Sequence, residues 1–86
     1  MTFTLDGVEL VADYDDEADI LYLWVGDGPR PAVTHEDPDG HLIQLDPETR
    51  QFLGVAIVDY EARWGSGDPI KIHVPVVEER TLEAVG

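Results

Sequence analysis

Apolar and polar side chains alternate along this chain in short runs whose period indicates β-strands. The clearest run is residues 20–25 (ILYLWV), six consecutive apolar residues. In a strand, Ile20, Tyr22 and Trp24 would lie on one face and the intervening residues on the other. A strand with one face in water would instead alternate apolar with polar residues. This run therefore predicts a central strand that is covered on both faces.

Residues 52–58 (FLGVAIV) share this property and predict a second central strand. Gly54 lies inside it, and because it has no Cβ, another backbone or a large ring could approach closely there. A chain of 86 residues buries only about 60–65% of its unfolded surface on folding. We therefore expect the two strands to be covered partly by the C-terminal segment and partly by a second copy, in a homodimer.

Shorter alternating runs predict two hairpins. Asp6 and Gly7 accept the positive φ angles of a type I′ turn, and residues 8–14 alternate through the second arm of that hairpin. Residues 32–36 and 41–45 are strand-like runs on either side of a Pro- and Gly-containing turn, which predicts the other hairpin.

The last third of the chain predicts an edge strand and short helical segments. Residues 70–74 alternate apolar with polar, and Pro75, which has no amide hydrogen, favours an edge of the sheet. Residues 59–67 predict an irregular segment or a single helical turn. Leu82 and Val85, three positions apart, predict a short helix that docks on the sheet.

These runs together predict one domain over residues 1–86, with a C-terminal strand and tail over residues 68–86. The predicted fold class is mainly β, or β-rich with an α+β arrangement. The expected architecture is an antiparallel β-meander of about six to seven strands with at most one or two short helices.

Charge narrows the choice of partners. Nineteen acidic and five basic side chains give a formal net charge of −14. This field repels phosphate backbones and anionic lipid headgroups, so neither nucleic acid nor a membrane is expected as a direct partner. It would attract a basic protein or cations, although solubility alone is the alternative explanation.

The absence of cysteine excludes disulfides, thiolate metal ligands and cysteine nucleophiles. The first residues lack the basic and apolar regions of a signal peptide, and no run approaches membrane-spanning length. We therefore expect a cytoplasmic location.

Two motifs carry a resemblance to a known family. Residues 14–23 (YDDEADILYL) resemble the Y-D-x-E-A-D-x-L-Y-[IL] opening of the bacterial domain of unknown function 2283 family. Residues 43–46 and 53–59 resemble its apolar strand, acidic turn and [IVL]-G-[IVL]-E-I-L strand. The likeness covers about residues 10–60. Ala56 stands where the family has Glu, so no role of that carboxylate is carried over.

The resemblance implies a small antiparallel β protein without an assigned activity. Some members of the family are encoded beside toxin-like proteins, which implies an antitoxin-like role for this chain.

His35, His41 and Asp37 form the most metal-like cluster of the sequence, because the two histidines flank a tight turn. Imidazole and carboxylate groups suit zinc or another divalent transition ion. His73 would be an edge residue or at best a third ligand. The alternative is that Asp37 only holds the turn. Since the spacing matches no recognised ligand motif, we assign no metal or other cofactor.

Four acidic residues at alternate positions resemble the carboxylates of a calcium loop: Asp13, Asp15, Glu17 and Asp19. The segment lacks the central Gly and the distal Glu of such a loop, and a turn held by Asp side chains also explains it. Ser66 lies between glycines without the context of a nucleophile elbow. We assign no catalytic residue and expect no enzyme activity.

Aromatic residues complete the candidates. Tyr60 and Trp64 lie four positions apart and are candidate interaction residues, because aromatic side chains with a polar tip are favoured at protein interfaces. Tyr14, Tyr22 and Trp24 are expected to pack in the core, given their strand period.

The leading interpretation is a small, acidic, non-enzymatic protein-interaction module that associates with itself and binds a basic protein. The alternative is a small metal-binding protein or metal-dependent enzyme that uses His35, His41 and nearby carboxylates. A purely structural oligomer is a third possibility.

Overall fold

The computed structural model describes residues 2–65, 68–74 and 79–85. These residues form eight strands and one short helix: β1 (Thr2–Leu5), β2 (Val8–Asp15), β3 (Ile20–Trp24), β4 (Val33–Glu36), β5 (Leu42–Leu45), β6 (Phe52–Val58), α1 (Tyr60–Trp64), β7 (Ile70–His73) and β8 (Glu79–Val85). The strands make one antiparallel sheet in the order β4-β5-β6-β3-β2-β1-β8-β7. The predicted mainly β, antiparallel class is confirmed, with eight strands instead of about six to seven.

Strand β2 joins two parts of this sheet. Its residues 8–10 pair with β1, and its residues 11–15 pair with β3. We call β1, β8 and β7 the small half, and β3, β6, β5 and β4 the large half. Apolar side chains from both halves belong to one core cluster, so the sheet folds over on itself and the halves pack face to face.

The core consists of alternate side chains of nearly every strand. Its buried members are Phe3, Leu5, Leu10, Leu21, Leu23, Ile43, Leu45, Val55, Ile57, Ile70, Ile72, Val74 and Leu82. Full burial of such a side chain stabilises the fold by about 1.5–3 kcal/mol relative to exposure. Because the chain has no cysteine, this packing takes the place of covalent cross-links.

The two predicted central strands, β3 and β6, are neighbours in the middle of the large half. Leu21 and Leu23 of β3 are buried in the core, to which the C-terminal strands β7 and β8 contribute. On the outer face, Tyr22 and Trp24 are half-buried. Coverage of β3 by the C-terminal segment is therefore confirmed for the inner face, and the outer face is half covered.

The predicted tail helix is wrong, because residues 79–85 form strand β8, which pairs with β1 on one side and β7 on the other. Leu82 is buried, while Thr81 and Glu83 beside it are more exposed. This alternation is the strand signal that the spacing of Leu82 and Val85 obscured. Pairing with β7 and with β1, which lies at the other end of the sequence, decides the conformation, and the local spacing of apolar residues does not report such pairing.

The other local predictions hold. Asp6 and Gly7 have φ angles of 50° and 85°, as a type I′ turn requires. Strand β7 lies at one edge of the sheet, as expected, although Pro75, on which that prediction partly rested, is outside the described residues. The helical turn that residues 59–67 predicted is α1. In the part of the chain that the structure describes, no helix has the length and apolar character that crossing a membrane requires.

Gly54 provides a test of the packing between β3 and β6. A Cβ at this position would overlap the carbonyl oxygen of Leu23 and lie 2.9 Å from Cε3 of Trp24, whose ring lies against the glycine. We expect Gly54→Ala to lower the free energy of unfolding by about 1–3 kcal/mol, because the strands would have to move apart. Urea denaturation measures this change.

Gln51→Ala is the control, because this exposed side chain lies just before β6. Its free energy of unfolding should stay within about 0.5 kcal/mol of the parent chain. If Gly54→Ala were as stable as Gln51→Ala, the close approach of Trp24 to β6 would be contradicted.

Candidate functional site

The first candidate site lies where the two edges of the sheet meet. Asp37 follows edge strand β4, and His73 ends edge strand β7. The carboxylate of Asp37 is fully buried and accepts three backbone hydrogen bonds. Its Oδ1 accepts the amides of Asp39 and His41, both at 2.9 Å, and its Oδ2 accepts the amide of His73 at 3.1 Å. Asp37 thus holds the β4–β5 turn and ties it to β7.

Two further side chains come close to this carboxylate. Nδ1 of His73 lies 3.8 Å from Oδ2 of Asp37 and 3.8 Å from Oδ2 of Asp39. One ligand atom from each of these three residues lies within 4.8 Å of the others. On the far side of the ring, Nε2 of His73 lies 3.4 Å from Oε2 of Glu79. Two carboxylates and one imidazole therefore converge on one point, and a third carboxylate supports the imidazole.

His41 lies beside this group. It is completely buried, and within residues 2–65, 68–74 and 79–85 neither ring nitrogen has a hydrogen-bond partner. Its ring centroid is 4.9 Å from that of Trp64, and the guanidinium of Arg63 covers the Trp64 ring at 4.2 Å. Burial lowers the pKa of His41, and the negative charge of Asp37 partly opposes that effect. We call Asp37, Asp39, His41 and His73 the edge junction.

The structure rearranges the metal-like cluster that the sequence predicted. Asp37 accepts the backbone amide of His41, but neither the imidazole of His41 nor that of His35, which is exposed on β4, belongs to the group of three ligand residues. Asp39 and His73 take the places of the two histidines. Asp39 lies in the same turn as Asp37, so the sequence already placed it near the cluster. The approach of His73 depends on the folding of the whole sheet.

The acidic segment after β2 has structural tasks. Oδ1 of Asp15 accepts the amides of Glu17 and Ala18, both at 3.1 Å, in a turn that an Asp side chain holds. Oδ1 of Asp19 accepts the amide of Glu61 at 2.8 Å, at the start of α1. Asp19 therefore caps a helix that lies about forty residues further along the chain. Within the described residues, these carboxylates form no group that could hold a metal ion.

The second candidate site is a cavity of about 330 Å³ between β2 and α1, which we call the aromatic cleft. Its lining consists of Phe3, Ala12, Tyr14, Leu21, Tyr60, Glu61 and Gly65. The ring of Tyr60 meets those of Phe3 and Tyr14 edge to face, each with ring centroids 5.9 Å apart. Such pairs keep the aromatic wall in place.

Tyr14 is 41% exposed at this cleft, so the prediction that it packs in the core is wrong. It belongs to the part of β2 that pairs with β3, beyond the residues that β1 covers. Its hydroxyl donates a hydrogen bond of 2.7 Å to Oδ1 of Asp19. That bond, together with the charges of Asp19, Glu61 and Asp16, raises the pKa of Tyr14 to about 12.

The two predicted interaction residues are the first and last residues of α1. Tyr60 lines the aromatic cleft, and Trp64 packs against His41 of the edge junction. Both are half-buried, and both contact the core cluster. Their role as contacts for a partner stays a prediction.

The hydrogen bond between Tyr14 and Asp19 makes a testable prediction. The folded chain keeps the Tyr14 proton that the unfolded chain releases above about pH 10, so stability should fall between about pH 10 and 12. In Asp19→Asn, we expect the pKa of Tyr14 to move from about 12 towards 10, because a neutral amide replaces the carboxylate. NMR titration of the tyrosine ring carbons measures it.

Asp27→Asn, in an exposed loop, is the matched control and should leave the pKa of Tyr14 unchanged. A pKa that remained near 12 in Asp19→Asn would show that Asp19 does not cause the shift.

No protein-family model, curated protein or solved structure matches this chain. The likeness of residues 14–23 and 43–59 to the domain of unknown function 2283 family therefore stays a prediction.

Proposed function

We propose that this protein is a non-enzymatic interaction module, and that its aromatic cleft binds an apolar side chain of a basic partner protein. The observation that carries this proposal is an apolar cavity of about 330 Å³ that reaches the surface beside acidic groups. Phe3 and Leu21 form its buried floor, and the exposed residues Tyr14 and Glu61 stand at its mouth.

The charge at the mouth favours a cation beside the inserted group. Glu61 lines the cleft and Asp19 accepts the hydroxyl of Tyr14, and the charges of Asp19, Glu61 and Asp16 all act on that hydroxyl. Arg63, the nearest base on α1, turns away, since its guanidinium covers Trp64 and donates to the carbonyl oxygen of Asp39. With a net charge of −14, long-range attraction also favours a basic partner.

The size of the cleft limits what can enter. A volume of about 330 Å³ is at the small end of the range of about 300–1,000 Å³ that is usual for ligand sites. It suits one or two side chains of a protein segment, with Lys or Arg next to them outside. In the antitoxin-like role that the family resemblance implies, this segment would belong to a basic toxin in the cytoplasm.

Filling the cleft tests this proposal. Ala12 lines the cleft from an exposed position on β2, so the ring introduced by Ala12→Phe should fill the cleft. The substitution leaves the net charge unchanged, and Phe is favoured in strands. We expect the chain to bind a short Lys- and Arg-rich peptide with one central Phe, and Ala12→Phe to weaken that binding at least about tenfold. Fluorescence anisotropy with the labelled peptide measures both affinities.

Val8→Phe is the matched control, because it adds the same ring at an exposed position of β2 that does not line the cleft. It should leave the affinity unchanged, and raising the salt should weaken binding in both chains. Equal affinities of the parent chain and Ala12→Phe would refute the role of the cleft. If a peptide with Ser in place of Phe bound equally well, the interaction would depend on charge alone and not on an inserted apolar side chain.

We propose in addition that the outer face of β2 and β3 pairs with the same face of a second copy. Val11 is directly opposite Trp24 in the sheet, and it is 47% exposed, while Tyr22 and Trp24 are half-buried. A second copy would cover these side chains, whereas the net charge of each chain opposes association. Added salt should therefore favour the dimer, because it screens that repulsion.

Light scattering at micromolar concentration measures the association. We expect twice the mass of the chain, with a dimer fraction that rises with salt. Val11→Lys should give a monomer, because it places a charge in the contact. Val8→Lys changes an exposed valine at the end of the first hairpin by the same charge and should remain dimeric. A monomer of the parent chain at every salt concentration would contradict the dimer.

A further inference from the structure

The edge junction contains oxygen and nitrogen atoms with lone pairs that the hydrogen bonds of the β4–β5 turn do not use. The amides of Asp39, His41 and His73 engage the carboxylate of Asp37, yet a carboxylate offers about four acceptor positions. Nδ1 of His73 lies 3.8 Å from Oδ2 of Asp37 and 3.8 Å from Oδ2 of Asp39, and both distances are too long for a hydrogen bond. Three electron-pair donors thus converge on one point.

The orientation of His73 fits metal binding. Its Nε2 faces Oε2 of Glu79 at 3.4 Å, while its Nδ1 is buried and has no hydrogen-bond partner among the described residues. Metal-bound histidines typically direct the other ring nitrogen to a carboxylate or carbonyl, which fixes the tautomer. A proton on Nε2 would leave the lone pair of Nδ1 pointing towards Asp37 and Asp39.

His41 provides an independent observation. Its side chain is completely buried, and no described residue gives either ring nitrogen a hydrogen bond. Asp37, Asp39 and His73 all act electrostatically on its imidazole, although its ring nitrogens are outside the group of three ligand residues. A buried polar group without a partner is unfavourable, and a water molecule held by an ion at that group would give this imidazole one.

We propose that the edge junction binds a divalent transition metal ion of the zinc type, with Asp37, Asp39 and His73 as three ligands and a water molecule, to which the imidazole of His41 can hydrogen-bond, in the fourth position. Mixed imidazole and carboxylate ligands favour such an ion over calcium or magnesium, which prefer oxygen alone.

The distances require only a small adjustment. Zinc binds nitrogen and oxygen at about 2.0–2.2 Å, so two ligand atoms in a tetrahedral site lie about 3.4 Å apart. The two separations of 3.8 Å from Nδ1 of His73, and the distance between the two carboxylates, which is at most 4.8 Å, close by movement of the side chains of Asp39 and His73, which are 50% and 41% exposed. The ion would join the end of β7 to the turn after β4, and so tie the two edges of the sheet together.

The test uses the full, untagged chain after treatment with a chelator. Calorimetric titration with Zn²⁺ at about 0.15 M salt should show one ion bound per chain, whereas Mg²⁺ and Ca²⁺ should bind much more weakly. His73→Gln and Asp39→Asn should each weaken Zn²⁺ binding at least about tenfold, because each removes or weakens a ligand at a partly exposed position.

His35→Gln is the matched control, since His35 is exposed and outside the group of ligands, and it should bind Zn²⁺ as the parent chain does. For the buried His41, ring ¹⁵N NMR avoids a substitution: Zn²⁺ should shift the ring signals of His41 and His73 and leave those of His35 in place.

Absence of saturable one-to-one uptake would overturn the site. An affinity that His73→Gln leaves unchanged would also overturn it. Either result would show that His73 serves the structure of the sheet edge and does not bind a metal ion. Shifts at His73 without a shift at His41 would overturn the part assigned to His41. None of these measurements involves the aromatic cleft, so the outcome is independent of the proposed partner binding.

Discussion

Strand β2 hydrogen-bonds to β1 through residues 8–10 and to β3 through residues 11–15, and this division of one strand between two partners holds the fold together. It carries the small half of the sheet across the inner face of the large half. Leu21 and Leu23 are then buried in one core with Ile72 and Leu82, although these residues lie far apart in the chain. A flat sheet of the same eight strands would leave that face in water, and without cysteine no other strong restraint would replace the packing.

Folding over also brings the two edges of the sheet together. Edge strands expose unpaired backbone groups, and here the carboxylate of Asp37, next to β4, accepts the amide of His73 at the end of β7. The turn after β4 is therefore part of both edges. This explains why carboxylates and imidazoles that belong to distant segments converge at the edge junction, and why a bound ion there would stabilise the closed form of the sheet.

The strong negative charge has at least two distinct consequences in this molecule. Asp15, Asp19 and Asp37 use their carboxylates on backbone amides, in two turns and a helix cap, so part of the acidity serves the fold. Glu61 and Asp16 instead add to the field around Tyr14, at the mouth of the aromatic cleft. The cleft includes Tyr60, the first residue of α1, and the edge junction contacts Trp64, the last. The aromatic cleft can therefore attract a basic segment while the edge junction attracts a metal ion.

Strands β1 to β7 and the first tight turn were predictable, because period-two alternation, uninterrupted apolar runs and the Asp6-Gly7 pair are local properties. The mainly β class, the central place of β3 and β6, and the close approach at Gly54 were predictable in the same way. Three features could not be predicted from local patterns: residues 79–85 form a strand, Asp19 caps α1, and His73 instead of His35 joins Asp37. These features arise from contacts between residues far apart in sequence, whose free energy appears only when the whole sheet closes around its core.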